Sequence, residues 1–337
     1  MINQRVKISG IGHYLPPSIR SSSELEKLIA MHSPKVKIAS GIVEAMTGIK
    51  TRRVASDNQY SSDMAALAAL NLFKRYLIKP SEIDLLVFAS ASQDLAEPAT
   101  GNIVQEMIGT SCPIFDIKNA CNSFLNGLEV SEALIHCGKY KRVLVVTGET
   151  PSKCIKYSLI DREDLRLSFS GFTFGDGGAA VLLEQSDDNQ GFTYDKFQTV
   201  SKYWEIGTLA SGGTRHPRGD EHTYFKGDGS KIKDAFIELG PNLIQNALKQ
   251  TETCFADYKK VFVHQVSVSY LHAFIEQTGF PIESVATTIE NLGNLAAASM
   301  PIALSLAIEN DELNSGDKIM FVGLAGGISL GVFCYQF

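Results

Sequence analysis

The stretch Phe115–Leu128, which reads FDIKNACNSFLNGL, decides the fold of this chain. Its short apolar start predicts a strand. The apolar residues after Cys121 recur at helical spacing and predict a helix with Phe124, Leu125 and Leu128 buried. Cys121 then lies at or near the first turn of the helix, where backbone N–H groups and the helix dipole stabilise a thiolate. A thiolate attacks thioester carbonyls readily. A buried structural cysteine fits this segment equally well.

Two later segments end in side chains that can serve such a nucleophile. Val261–Gln265 is an apolar strand pattern that contains His264, and Asn291–Ser299 is a turn that contains Asn294 and opens a helix. Alone, a histidine at a strand end is more often structural, and a Gly-Asn pair is usually only a turn. Together with the cysteine they supply a nucleophile, an imidazole and an amide, each after an apolar run. Sites in α/β sheets are built at such strand ends.

The two halves of the chain resemble each other. Three pairs of segments occur in the same order: Leu85–Ser90 with Val261–Val266, Ile117–Asn122 with Ile289–Asn294, and Phe174–Leu183 with Leu324–Phe333. The repeat predicts a duplicated α/β unit divided into residues 1–186 and 187–337. Cys121 lies in the first copy, whereas His264 and Asn294 lie in the second. The three side chains would meet where the two halves face each other.

Composition excludes several classes of function. The chain has 337 residues and a net charge of −6, so nothing indicates nucleic-acid binding. No segment is apolar over a length that spans a bilayer. A strand pattern begins at Val6–Ile8 without an apolar signal core, and we therefore expect a cytoplasmic protein. The six cysteines have no paired spacing, which argues against a zinc site or a disulfide framework. We predict no metal and no cofactor.

The chain resembles the thiolase-fold condensing enzymes, and among them the ketoacyl-carrier-protein synthase III (FabH-like) group. The resemblance covers nearly the whole length, and beside the cysteine, histidine and asparagine motifs it rests on these segments: Ile8–Pro16, Thr47–Arg53, Phe174–Ala180 and Gly293–Ser299. It implies a thiolase fold, in which duplicated α/β halves form a five-layered αβαβα core, and a homodimer. It also implies an active site of Cys121, His264 and Asn294. The backbone N–H groups of Cys121 and Gly326 would form the oxyanion hole.

The segment Gln93–Thr100 departs from the housekeeping members of this group. Their matching loop carries an apolar residue before the proline and reaches into the partner subunit's site, whereas this chain has Glu97. A carboxylate there is similar to OleA and to the α-pyrone-forming ketosynthases, which join two acyl chains and use the glutamate as a base. The alternative is a solvated loop glutamate near a helix start capped by Thr100.

A second departure concerns the thioester carrier. FabH enzymes that use coenzyme A often stack its adenine on a tryptophan before the Thr-Gly-Ile motif, with an arginine nearby. The matching places hold Ile42 and Met46, and the single tryptophan, Trp204, is far away in the sequence. This difference favours a substrate bound to acyl carrier protein over free coenzyme A.

These features predict a ketosynthase that joins two acyl thioesters by Claisen condensation, in α-pyrone or related polyketide biosynthesis. Cys121 would carry the first acyl chain, His264 and Asn294 would stabilise the enolate of the second, and Glu97 of the partner would remove its proton. The first alternative is a decarboxylative, FabH-like initiator of fatty acid synthesis, which needs no base because decarboxylation generates the carbanion. The second is a non-catalytic homologue that binds acyl carriers.

Alternating strand and helix patterns predict mainly parallel sheets. The predicted strands are 6–12, 84–90, 113–117, 142–148, a hairpin at 174–184, extended chain near 190–208, and 260–264, 285–288, 318–322 and 328–336. The predicted helices are 23–31, 61–76, 99–108, 122–137, 231–249, 268–278 and 295–309. Residues 151–173 and 205–230 break the alternation, and we expect them to cover the acyl channel or its entrance.

Overall fold

The computed structural model describes residues 5–337, apart from the side chains of residues 220, 233 and 236–240. The strands in this range are β1 (Val6–Tyr14), β2 (Ile19–Ser21), β3 (Thr51–Arg53), β4 (Leu85–Ala89), β5 (Ile114–Ile117), β6 (Arg142–Glu149), β7 (Gly177–Gln185), β8 (Gly191–Thr199), β9 (Gly207–Thr208), β10 (Lys226–Gly227), β11 (Tyr258–Val263), β12 (Lys318–Ala325) and β13 (Ser329–Gln336). The α-helices are α1 (Ser22–His32), α2 (Ile42–Thr47), α3 (Ser61–Tyr76), α4 (Thr100–Ile108), α5 (Ser123–His136), α6 (Arg162–Ser168), α7 (Gly229–Gln250), α8 (Val268–Thr278), α9 (Ile289–Leu292) and α10 (Ser299–Glu309).

Two sheets with matching strand order form the core. The first has the order β1-β7-β6-β4-β5, and the second has the order β8-β13-β12-β11. The place beside β11 that corresponds to β5 holds only one isolated bridge, between Val261 and Val285. The predicted strand 285–288 is therefore wrong. The division that we propose at residue 186 falls in the loop between β7 and β8.

Both sheets are mixed, so the prediction of mainly parallel sheets is also wrong. Strands β4, β5 and β6 run parallel, as do β11 and β12, whereas β7 and β13 run antiparallel to both of their neighbours. The connection from β12 to β13 is only residues 326–328. A turn this short joins antiparallel neighbours, because a parallel pair needs a crossover of a dozen or more residues.

Helices cover the sheets in three layers. Helix α3 packs on the outer face of the first sheet, α5 and α10 pack between the sheets, and α7 packs on the outer face of the second. The strands alternate accordingly. In β4, Leu85 and Val87 face the central layer and Leu86 faces α3, while in β12 Phe321 faces inward and Met320 outward. The predicted five-layered core follows from this packing.

Several element boundaries differ from those predicted. The expected hairpin at 174–184 is the single strand β7, because its glycines serve close packing rather than a turn: a Cβ at Gly178 would lie 2.2 Å from the carbonyl oxygen of Met64 in α3. The helix expected at 122–137 begins at Ser123, and the one expected at 295–309 begins at Ser299 after a short 3₁₀ turn. Near 190–208, strand β8 ends before a 3₁₀ turn that leads to β9.

The excursion 151–173 packs against the helices near the start of the chain. Its Ile155, Leu159 and Phe172 share an apolar cluster with Leu25 and Ile29 of α1. The second excursion is tied to it, because the N–H of Phe225 donates to the carbonyl of Cys154. No helix among residues 5–337 is long and apolar enough to cross a membrane.

Candidate active site

Cys121 lies in a tight turn between β5 and α5. The preceding residue, Ala120, has a φ of +46°, in the left-handed region that alanine rarely adopts. Hydrogen bonds hold the turn: the Ser123 hydroxyl donates to the Ala120 carbonyl at 2.7 Å and accepts the Asn119 N–H at 2.8 Å. Backbone conformations of this kind persist where the surroundings over-determine them, which is common at functional sites.

This turn is docked onto the second half of the chain. The Asn122 amide donates to the Ser329 carbonyl at 2.9 Å, and the Asn119 amide donates to the Ser329 hydroxyl at 3.3 Å. Ser329 begins β13 and follows the turn that contains half-buried Gly326. The two residues predicted to form the oxyanion hole, Cys121 and Gly326, therefore lie on segments that hydrogen bonds join.

His264 follows directly after β11 and is buried, with 4% of its surface exposed. Its N–H donates to the carbonyl of Val322 at 2.9 Å, which continues the pairing of β11 with β12. Burial lowers the pKa of His264 to about 4, and the backbone of Ala296 acts in the opposite direction. The imidazole is therefore neutral at physiological pH, with one ring nitrogen as a donor and the other as an acceptor.

Asn294 is held by two neighbouring segments. Its backbone N–H donates to the Thr173 carbonyl at 2.8 Å, and its side-chain oxygen accepts the Ala296 N–H at 3.0 Å. The Asn294 amide nitrogen lies 3.4 Å from the Thr173 hydroxyl. This bond to Thr173 uses one N–H of the amide, and the second N–H remains as a further donor. Ala296 interacts with both Asn294 and His264 and so brings them together.

The internal repeat has a different register from the one predicted. Ala296 has a φ of +47°, like Ala120, and the Ser299 hydroxyl donates to the Ala296 carbonyl at 2.9 Å, as Ser123 does to Ala120. Ala297 therefore corresponds to Cys121, whereas the sequence pairing placed Gly293 there. The place of Cys121 in the second copy is therefore held by an inert side chain.

The surroundings of Cys121 favour the neutral thiol, which is the opposite of the stabilised thiolate that one of the two sequence interpretations expects. Burial, reinforced by the negative charge of Glu149, raises the pKa of Cys121 to about 12. The helix does not offset these effects, because α5 begins only at Ser123. The neutral thiol is therefore the favoured form in the free protein.

Glu149, at the end of β6, is a site residue that the sequence interpretation missed. Its side chain is fully buried, and its two oxygens accept hydrogen bonds from the Ala91 N–H at 2.7 Å, the Ser92 N–H at 3.0 Å and the Ser92 hydroxyl at 2.6 Å. Burial raises the pKa of Glu149 to about 7, while these bonds and one from the Ala297 backbone act in the opposite direction. The sequence feature that could have identified Glu149 is a carboxylate at the end of an apolar strand pattern.

Glu97 lies on the exposed loop between β4 and α4. Within residues 5–337 of one chain, its carboxylate forms no hydrogen bond or ion pair, and so none joins it to Cys121. Thr100 is the first residue of α4 rather than its cap. The Asp116 carboxylate caps the helix instead, since it accepts hydrogen bonds from the Thr100 N–H at 2.7 Å and the Gly101 N–H at 2.9 Å.

Comparisons with known proteins agree with this architecture. Residues 115–202 match the family 3-oxoacyl-(acyl-carrier-protein) synthase III, and residues 248–337 match its C-terminal part. The β-ketoacyl-(acyl-carrier-protein) synthase III of Vesicomyosocius okutanii is 30% identical and the alignment covers 98% of both chains. The enzyme of the same name from Neisseria meningitidis is 29% identical, over 99% of this chain and 100% of that one.

Solved structures of OleA from Xanthomonas campestris superpose on the chain. One has a TM-score of 0.90 at 25% identity and covers 100% of this chain and 99% of that one. The related structures include variants at a glutamate, a cysteine and a histidine, and a cysteine-to-serine variant with bound lauric acid and lauroyl-CoA.

These findings confirm the predicted thiolase fold with its duplicated halves, and the predicted class of enzyme. The protein is a FabH-like ketosynthase, an acyltransferase that forms a carbon–carbon bond by Claisen condensation. The chain belongs to the 3-oxoacyl-(acyl-carrier-protein) synthase III family of condensing enzymes.

Proposed function

We propose that this ketosynthase joins two acyl thioesters without a malonyl donor, in the biosynthesis of an α-pyrone or a related polyketide. The observation that carries the proposal is the exposed carboxylate of Glu97, on the loop that enters the partner's site in FabH-like enzymes. OleA, which has the same fold, has been studied through variants at a glutamate, a cysteine and a histidine. These are the residue types of Glu97, Cys121 and His264.

In the first stage Cys121 accepts an acyl chain. The sulfur bonds to the thioester carbonyl carbon, the carbon–sulfur bond to the carrier breaks, and the thiol proton leaves with the departing carrier thiol. The backbone N–H groups of Cys121 and Gly326 hold the oxyanion in the tetrahedral intermediate. Such donors contribute roughly 3–4 kcal/mol each in well-studied enzymes.

In the second stage another acyl thioester binds with its carbonyl oxygen toward His264 and Asn294. A neutral imidazole N–H and the second amide N–H of Asn294, beside the one that donates to Thr173, suit an oxygen that becomes an enolate. Glu97 of the partner removes a proton from the α-carbon, which attacks the acyl group on Cys121 and releases the cysteine sulfur. The product is a β-ketoacyl thioester. When the chain on Cys121 is itself a β-ketoacyl group, the enol oxygen of its far ketone can attack the thioester carbonyl, which closes an α-pyrone and expels the carrier thiol. Otherwise, hydrolysis of the thioester by water yields a β-ketoacid and the free carrier thiol.

This mechanism needs a homodimer. Strand β5 is an edge strand of the first sheet, and Leu95, on the same loop as Glu97, is 49% exposed. An unpaired edge beside exposed apolar side chains is suited to pairing with another chain. We place the enzyme in the cytoplasm. We expect acyl carrier proteins rather than coenzyme A to deliver both substrates, because Ile42 and Met46 offer no aromatic surface on which adenine could stack.

The runner-up is decarboxylative condensation with a malonyl thioester, which is favoured by the names of the relatives at 28–30% identity. Product analysis separates the two. The enzyme is given two acyl thioesters on acyl carrier protein, with and without malonyl thioester, and a parallel set on coenzyme A. We expect a β-keto product without malonyl thioester, and a pyrone when one substrate is a β-ketoacyl thioester. Condensation only with malonyl thioester, with release of CO₂, would refute the proposal.

A further inference from the structure

The loop that carries Glu97 has a fixed base and an exposed tip. At its start, Glu149 accepts the N–H groups of Ala91 and Ser92, and at its end Asp116 accepts those of Thr100 and Gly101. The tip, residues 95–98, is exposed throughout. The position of the tip therefore depends on how firmly its base is held.

Side chains reinforce the first part of the base. The Gln93 amide oxygen accepts from the Lys118 ammonium at 3.0 Å, and the Asp94 carboxylate accepts the Ser62 N–H at 3.2 Å. The Asp94 N–H donates to the Thr100 hydroxyl at 3.1 Å, which closes the loop upon itself. Residues 91–94 are thus bound to three other parts of the first half.

Glu149 is the anchor of this loop base that also acts on Cys121. It is fully buried, its charge acts on the Cys121 thiol, and the backbone of Ala297 in the second half is close enough to lower its pKa. The mechanism above does not use it. The Glu149 carboxylate therefore binds the base of the Glu97 loop. It also lies close to two turns, which are the turn of Cys121 and its second-half counterpart at Ala297.

We propose that Glu149 is a positioning residue that fixes the Glu97 loop relative to the Cys121 turn, so that Glu97 is held in place for the partner's site. This inference rests on the proposed function, because it assigns Glu97 to the neighbouring subunit. A carboxylate suits the place because every group that points at it is a donor. A glutamine would present its own N–H₂ group to one of those donors and lose that hydrogen bond.

The test separates the loop from the nucleophile by using heterodimers. The reference pairs a Cys121→Ala chain with a Glu97→Ala chain, so that the one complete site has Cys121 from the second chain and Glu97 from the first. The test heterodimer adds Glu149→Gln to the first chain only, which leaves Glu149 beside the working Cys121 intact. We expect condensation to fall by about a hundredfold, the usual effect of a misplacement of about 1 Å. Acyl loading of Cys121, measured by intact mass, should not change.

Two further variants guard against trivial explanations. Ser92→Ala in the first chain is the milder variant, for use if Glu149→Gln prevents dimer formation. It removes the hydroxyl bond to Glu149 and the longer bond that the hydroxyl accepts from the Thr150 N–H, and should reduce condensation by a smaller factor. Glu132→Gln in the first chain is the matched control, because Glu132 is a half-buried carboxylate of α5 whose pKa is also raised by burial. We expect it to leave condensation unchanged.

The outcomes are distinct. Activity of the reference heterodimer with no loss in the Glu149→Gln and Ser92→Ala heterodimers would overturn this inference alone. An inactive reference, with heterodimers confirmed by native mass spectrometry, would overturn the assignment of Glu97 to the partner and this inference with it. An equal loss in the Glu132→Gln control would also refute a specific role for Glu149.

Discussion

The side-chain oxygen of Asn294 accepts the backbone N–H of Ala296 at 3.0 Å. This bond orients the amide so that its N–H₂ group is the available donor. We expect Asn294→Asp to keep the acceptor, lose the donor and add a negative charge where the enolate forms. Acyl loading of Cys121 should survive, whereas condensation from preloaded enzyme should fall by about 10²–10³, as for other oxyanion donors. Near-normal condensation in single-turnover assays would show that Asn294 is not such a donor.

Gly293 places Asn294, and two alanine substitutions test its role. Gly109 has φ +72° and ψ +25°, a left-handed conformation with open space around it. Gly293 has φ +72° and ψ −171°, a region essentially reserved for glycine, and a Cβ there would also lie 2.9 Å from the Thr173 carbonyl oxygen. Gly109→Ala should lower the free energy of unfolding by about 1–2 kcal/mol, the cost of a left-handed alanine. Gly293→Ala should lower it further and reduce condensation as well. Equal effects in urea unfolding would contradict the close approach.

The raised pKa of Cys121 predicts how the free enzyme reacts with iodoacetamide. Since the thiolate is the reactive form and burial raises the pKa of Cys121 to about 12, the alkylation rate should rise roughly tenfold per pH unit from pH 7 to 10. The exposed Cys137 and Cys254 also react, so a Cys121→Ala protein supplies the background. A plateau near pH 7 would instead indicate the stabilised thiolate that the sequence suggested.

Glu149 should make the stability of the protein depend on pH near neutrality. Burial raises the pKa of Glu149 to about 7, above the value of about 4.3 in an unfolded chain. Its contribution is therefore fully present below about pH 4.3 and is lost as the pH rises through about 7. Compared with Glu149→Gln, the wild type should lose free energy of unfolding between pH 5 and 8. A difference that is constant over this range would show that Glu149 does not titrate there.

The sequence predicts the strand ends that bear Cys121, His264 and Asn294 because each follows a recognisable apolar or turn pattern. In the structure, Ser329 joins the Cys121 turn to the start of β13, and Ala296 joins Asn294 to His264. The buried face of α5 is also confirmed, since Phe124, Leu125 and Leu128 are fully buried. Local patterns suffice here because burial and chain direction leave few alternatives.

Other features depend on contacts between distant parts of the chain. Glu149 resembles any polar residue at a strand end until Ala91 and Ser92 are seen to donate to it. The glycines at the start of β7 look like a turn, but they make room for α3. The pKa of Cys121 depends on burial that no local pattern reveals.

The central claim is that Glu97 acts as the base for condensation without a malonyl donor. The most direct measurement preloads Cys121 with one acyl chain, adds a second acyl thioester without malonyl thioester, and follows the β-keto product in the wild type and in Glu97→Gln. We predict product formation by the wild type and a fall of roughly 10²–10⁴ in the variant, the usual contribution of a general base. Loading of Cys121, checked by intact mass, should be equal in both. A wild type that condenses only when malonyl thioester is supplied, at a rate that Glu97→Gln does not change, would contradict the claim.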